Sequence, residues 1–117
     1  RAGLPAEALE IELTESVLQT GPQTIEAMAA LRALGVHVAL DDFGSGWSSM
    51  TSLSKLPLTR VKLDRGLVDD VDRDPRQAAI ARSAIRLCRD LGLEVTAEGV
   101  ERAGQLAWLL DCGPVAV

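Results

Sequence analysis

Positive charge is scarce in this chain. Twelve lysines and arginines face 17 aspartates and glutamates, a formal net charge of −5 over 117 residues. A general binder of DNA or RNA needs a basic field, so nucleic-acid polymers are not expected partners. Cysteine is nearly absent: Cys88 and Cys112 are too few for a disulfide scaffold and lack metal-binding spacing. Both fall in apolar helical patterns and read as reduced core thiols. No apolar run approaches the ~20 residues of a membrane span, and no signal-peptide pattern is present. Low-complexity linkers and internal repeats are also missing. What remains, 47% hydrophobic and 25% charged residues with 10 Gly and 5 Pro, excludes disordered and collagen-like classes. The length suits about one ordinary domain, and the compartment expected is the cytoplasm.

The chain begins Arg1-Ala2-Gly3 without an initiator Met and stops at Pro114-Val115-Ala116-Val117, inside an apparent strand. Domains usually end in polar, exposed segments, so a piece of a longer protein is expected.

Short runs rich in Val, Leu and Ile alternate with longer helical patterns. The expected strands are Glu10 to Thr14, Val36 to Asp41, Arg60 to Asp64, Leu93 to Ala97 and Pro114 to Val117. The first helix runs from about Pro22 to Leu34, with Ile25, Met28 and Leu31 at helical spacing and Gly35 ending it. A second follows Gly46, across Ser48 to Leu56. The third is capped by Asp74, starts at Pro75, carries the stripe Ile80, Ala84, Leu87 and Leu91, and stops at Gly92. A fourth covers Arg102 to Cys112, with Leu106, Leu109 and Leu110 facing inward. Strand, helix, strand, helix implies α/β architecture: a parallel sheet with crossover helices. A complete (β/α)₈ barrel needs ~200–250 residues, so the chain supplies either about half a barrel or an open sheet of five strands.

Parallel strands covered on both sides read as nearly continuous apolar runs, and these do not. Val36, Val38 and Leu40 oppose His37, Ala39 and Asp41. Val61 and Leu63 oppose Lys62 and Asp64, Val95 and Ala97 oppose Thr96 and Glu98, and Ile11 and Leu13 oppose Glu10, Glu12 and Thr14. Each strand therefore turns one apolar face toward helices and an opposite face carrying ionisable groups near its carboxyl end. Unpaired carboxylates gathered in one interior repel one another and are costly to bury. Divalent cations remove that cost, and carboxylates are natural ligands of Mg²⁺ and Mn²⁺. The carboxyl ends of strands are also where (β/α) folds place their active sites. The competing reading is four separately solvated strand-end acids.

The segment Asp41-Asp42-Phe43-Gly44-Ser45-Gly46-Trp47-Ser48-Ser49 is the densest local motif. Adjacent acids at a strand end point in different directions, so the two suit two cations. Gly44 and Gly46 let the backbone turn sharply, and the serines suit loop bonds or a helix cap. A phosphate-cradling loop would need G-K-[ST], and a kinase D-F-G would need H-R-D before it and A-P-E after it; neither is present. Ala97-Glu98-Gly99-Val100-Glu101 repeats the design, a strand-end acid, a flexible Gly, then an acid opening a helix. His37 lies early on its strand, away from the charged rim, and reads as a structural or surface residue. Trp47 reads as core or loop contact, and Asp69 to Asp74 as a solvated loop.

Four segments together resemble the EAL family of bacterial cyclic di-GMP phosphodiesterases. They are Glu10-Ile11-Glu12-Leu13-Thr14-Glu15-Ser16, the Asp41-to-Ser49 loop, Val61-Lys62-Leu63-Asp64-Arg65 and Ala97-Glu98-Gly99-Val100-Glu101. The resemblance implies the C-terminal portion of an EAL-type (β/α)₈ TIM-like barrel. Such a barrel hydrolyses one phosphodiester bond of cyclic di-GMP to give linear pGpG, using two Mg²⁺ or Mn²⁺ ions. Carried onto matching positions, Glu12, Asp41, Asp42 and Glu98 resemble metal ligands. Glu98 is also similar to the family's general base, and Lys62 to the lysine beside the attacking water and reacting phosphate. Glu15 resembles the acid that steadies the loop Phe43, Gly44, Ser45, Gly46, while Glu101 and Asp64 are similar to supporting acids around the site. Two cations beside a phosphate neutralise its charge and acidify a neighbouring water, and a lysine adds a positive group where negative charge develops.

Ser45, Trp47 and Met50 stand where the family usually has Thr, Tyr and Leu. The resemblance places the Glu-Ala-Leu segment with its metal-binding Glu, and a further metal-binding Asn, upstream of Arg1, and a late Gln-Gly segment at or beyond Ala116-Val117. Residues 1–117 are thus expected to be a partial EAL domain, inactive by itself, within an active parent. Sensory or diguanylate cyclase domains and a homodimer formed near the Asp42 loop are family associations. Two alternatives stay open. One is a degenerate domain acting as a non-catalytic cyclic di-GMP receptor or protein-interaction module; the other is an unrelated half-barrel or open-sheet metal enzyme.

Overall fold

A computed structural model of the chain describes residues 5, 8–14, 22–44, 53, 56–113 and 115–116. Strands β1 (Glu10–Leu13), β2 (His37–Phe43), β3 (Arg60–Leu63) and β4 (Glu94–Ala97) run parallel in the spatial order β1-β2-β3-β4. Between and after them lie helices α1 (Pro22–Ala33), α2 (Arg65–Val68), α3 (Pro75–Asp90) and α4 (Ala103–Asp111). The α/β architecture expected from the sequence is the one observed. At the far edge Ala116 forms an isolated parallel bridge to Thr96, which is what is seen of the expected fifth strand; Pro114 and Val117 lie outside the described residues. So does most of the expected helix from Ser48, of which Leu53 is helical and buried and Leu56 is buried but not helical.

The core fills one side of the sheet. Val38, Leu40, Val61, Leu63, Val95 and Ala97 pack against Met28, Ala81, Ile85, Cys88 and Leu109 from the helices. Fully burying an apolar side chain is worth roughly 1.5–3 kcal/mol, so the uncharged face fixes which way each strand turns. The opposite face carries the ionisable residues in two tiers. Nearer the amino ends, the Arg60 guanidinium lies 2.8 Å from Glu94 and 3.8 Å from Glu10. Nearer the carboxyl ends come Glu12, Asp41, Lys62 and Glu98, with the polar Thr96 beside Lys62.

Several element ends differ from expectation by a residue or two. Val36 donates to Leu31 O and Leu93 to Cys88 O, so both close helix exits and the strands begin one residue later. Asp64 lies beyond β3 and caps α2 instead, its carboxylate accepting from Gly66 N at 2.9 Å. This short helix is not signalled by any apolar periodicity. Asp74 caps α3 by accepting from Arg76 N at 3.0 Å, as expected.

Two helices are rotated relative to the expected stripes. In α3, Ile80 is 58% exposed and Leu91 is exposed, whereas Ala78, Ala81, Ala84, Ile85 and Cys88 are buried. Small side chains let the helix approach the sheet closely, and that face wins over the bulkier one. In α4, Leu106 and Leu110 are exposed and Leu109 is buried beside Gln105, whose amide determines the rotation through hydrogen bonds described below. Cys88 is buried and Cys112 half-buried, both as free thiols.

Candidate active site

The carboxyl end of β2 is irregular. Pairing with β3 shifts register between Leu40 and Phe43, and Asp42 adopts φ +55°. This is a bulge: two residues occupy the span of one, so a strand that ordinarily alternates its side chains turns Asp41 and Asp42 toward the same place. The sequence expectation that the two acids diverge is corrected here. Asp is one of the few residues other than Gly that tolerates the left-handed region, because its short carboxylate bonds locally. Asp42 N donates to Asp41 Oδ1 at 2.9 Å. Gly44, at φ +98°, then turns the chain against Leu67; a Cβ there would sit 3.1 Å from Leu67 Cδ2.

Glu98 enters from the neighbouring side. It follows β4, and its backbone N–H continues the ladder to Leu63 O at 3.3 Å. Asp41, Asp42 and Glu98 each offer a carboxylate oxygen, and these oxygens all lie within 4.8 Å of one another. Glu98 Oε1 is buried and has no hydrogen-bond partner. The adjacent Asp41 carboxyl most of all, then burial, then repulsion from Asp42, hold the Glu98 carboxyl above its ordinary value, with Lys62 pulling the other way. An orphaned buried oxygen between two further carboxylates is the donor set a hard divalent cation takes.

Lys62, Thr96, Glu98, Gly99, Val100 and Leu106 line an open cavity of about 580 Å³ at this end of the sheet. Lys62 stands opposite Thr96 in the register, and its ammonium pairs with Glu12 on β1. Glu12 thus joins the charged face through Lys62, while the close carboxylate triad is Asp41, Asp42 and Glu98. Glu101 does not reach that triad; it pairs with Arg65 at the start of α2. Gly99, at φ +76°, passes beneath that arginine, where a Cβ would lie 2.6 Å from Arg65 Cγ. Phe43 is buried in the core. Glu15, Ser45 and Gly46 lie outside the described residues. His37 is exposed at the start of β2, as expected.

Three features were missed in the sequence. The Thr96 hydroxyl is buried and unpartnered beside Lys62. Arg102 reaches Asp72, Nη2 to Oδ1 at 2.6 Å, and Gln105 is fully buried. The first was visible as a polar residue two before Glu98 on the same strand face. The others had only the weak signal of polar residues opening an apolar helix.

This chain matches the EAL domain family over residues 1–117, and it belongs to that family. A cyclic di-GMP phosphodiesterase of Pseudomonas aeruginosa, NbdA, is 44% identical over 112 residues, 95% of this chain and 14% of NbdA. The EAL domain of DcpA from Mycobacterium smegmatis superposes with a TM-score of 0.87 at 38% identity, covering 95% of this chain and 50% of that one. Klebsiella pneumoniae BlrP1, in a complex with manganese and cyclic di-GMP, gives 0.87 at 38% identity over 96% of this chain and 29% of its own. The chain therefore spans about half of a solved EAL domain and about a seventh of NbdA.

Proposed function

We propose that this chain contributes part of the active site of a divalent-metal-dependent phosphodiesterase that hydrolyses cyclic di-GMP to linear pGpG in bacterial second-messenger signalling. The observation that carries the reading is the convergence of Asp41, Asp42 and Glu98 around one buried, unpartnered carboxylate oxygen. The BlrP1 complex with manganese and cyclic di-GMP supports both the cation class and the ligand.

In this reading Asp41, Asp42 and Glu98, with Glu12 across Lys62, hold Mg²⁺ or Mn²⁺, two ions serving the site. Bound there, such ions neutralise phosphate charge and make a water more acidic. The residues supply the rest. The Glu98 carboxylate accepts a proton from the attacking water as oxygen adds to phosphorus and one P–O ester bond breaks. The Lys62 ammonium, held at the rim by Glu12, offsets the negative charge that builds on the phosphoryl oxygens. Asp64 keeps the chain after β3 in place by capping α2, and Glu101 with Arg65 braces the loop after Glu98. Glu15 and the loop through Ser45 and Gly46 are assigned the family's loop-anchoring role.

Turnover is proposed for the protein that joins these residues to the remainder of an EAL domain, and residues 1–117 alone are expected to be inactive. The test measures pGpG release by the full-length protein with Mg²⁺ or Mn²⁺, after EDTA treatment, and in Glu98→Gln. Activity that needs the cation and disappears in the variant is expected; activity that survives both would overturn the reading. Cyclic di-GMP binding without cleavage would point instead to a receptor.

A further inference from the structure

We propose that Gln105 is a positioning residue for Glu98, locking the loop that carries this carboxylate to the helix that follows Lys62. The inference rests on the reading above for the role of Glu98, and extends it to a residue outside the motifs. Gln105 is 0% exposed and sits in the first turn of α4, immediately after the Glu98-to-Glu101 loop.

Its amide is fully used. The carbonyl oxygen accepts from Glu101 N at 2.8 Å and Arg102 N at 2.9 Å. The amide nitrogen donates to Val68 O at 3.2 Å and Asp69 O at 3.1 Å. A primary amide has two donor hydrogens and two acceptor lone pairs, and all four find partners. Capping α4 requires only the oxygen half of this arrangement. The nitrogen half reaches back across the fold to the end of α2, where terminal helix carbonyls have no partner within their own helix.

The two halves together join the loop after β4 to the end of α2, the short helix that follows β3. Glu98 precedes the held loop by three residues, and α2 follows the strand that carries Lys62. The strand ladder supports the base of this loop through Glu98 N, and Gln105 fixes the loop's far end. Surface pairs flank the lock, Arg102 with Asp72 and Arg65 with Glu101, but both are partly exposed and so contribute less rigidity. Without the amide, Glu101 N and Arg102 N lose their partner, and Val68 O and Asp69 O keep only Val71 N and the Arg102 guanidinium. The loop gains alternatives, and the Glu98 carboxylate drifts from Asp41 and Asp42.

The test uses the full-length protein with Gln105→Met, which keeps length and burial but loses every hydrogen bond, and Gln105→Glu, which keeps the helix-capping oxygens and changes the donor half. Mn²⁺ affinity is measured without nucleotide, by the paramagnetic resonance signal of free Mn²⁺, at a temperature where circular dichroism shows each variant folded. Gln105→Met should weaken Mn²⁺ binding about tenfold, the scale for residues supporting metal ligands. It should lower kcat with little change in KM. In the Glu98→Gln background the same substitution should have no further effect on Mn²⁺ affinity, because its action runs through Glu98. Should Gln105→Met not fold, Gln105→Glu decides, with weakened Mn²⁺ binding expected. Wild-type affinity in a folded variant, or losses that simply add to those of Glu98→Gln, would overturn the positioning role. Failure of the wild type to cleave cyclic di-GMP while these Mn²⁺ results hold would instead overturn the proposed function alone.

Discussion

Lys62 on β3 reaches over β2 to pair with Glu12 on β1. Glu12 is in register with Ala39, whose partner on β3 is Arg60, so the Lys62 side chain leans back along the sheet to reach it.

Lys62→Met removes the cation while keeping the length of the stem. In the full-length protein, kcat for cyclic di-GMP should fall about a hundredfold to a thousandfold, the scale for losing one preorganised group that meets developing charge. Steady-state kinetics decide it, and a kcat within a factor of three of wild type would contradict the role given to Lys62.

Arg60 holds Glu10 and Glu94 together in the lower tier of the charged face, and the neighbouring carboxylates raise its proton affinity, the Glu94 hydrogen bond most strongly. The pairs are partly exposed, so Arg60→Met should cost about 1 kcal/mol, at the upper end for such contacts. The loss should shrink as salt is raised, because screening weakens the pairs in the wild type. Urea unfolding at two ionic strengths measures both, and a loss independent of salt would indicate packing as the cause.

The Arg102 guanidinium, hydrogen-bonded to Asp72, holds this carboxyl below its ordinary value. A depressed value favours the folded state when the carboxylate is ionised, and that advantage disappears as pH falls through the folded value. Asp72→Asn should therefore lower thermal stability at neutral pH, and the gap from wild type should close below about pH 4, near the ordinary Asp range. Melting curves between pH 2 and pH 7 test this; a constant gap would show that the ionised pair is not what Asp72 contributes.

Burial pushes the Cys88 thiol up to about 11. At pH 8 it should resist alkylation until the protein unfolds, since the thiolate is the reactive form. Cys112, half-buried and also raised by burial, should react first but slowly. Mass spectrometry of a timed iodoacetamide reaction distinguishes them, and rapid labelling of Cys88 in folded protein would refute its burial.

Much of this site was legible because period-two alternation survives in β1, β3 and β4: Lys62 between Val61 and Leu63, Thr96 between Val95 and Ala97. Asp74 and Pro75 announced α3 by local chemistry alone. What was not legible depended on contacts distant in sequence. The bulge at Asp41 and Asp42 is a property of pairing with β3, so simple alternation sent the acids apart. The inward face of α3 is set by how near alanines let it come to the sheet, not by which residues are most apolar. Gln105 finds half of its partners 36 and 37 residues away, a relation that no local pattern carries. Glu101, read from the motif as a supporting or metal-site acid, pairs with Arg65, a partner the motif alone does not reveal.

Asp42 holds the left-handed backbone of the bulge, a conformation that Asn adopts as readily as Asp. One amide-for-acid replacement at this position would thus leave the pocket's contour intact while removing a charge from it. Shape and charge at that corner of the fold are therefore separable.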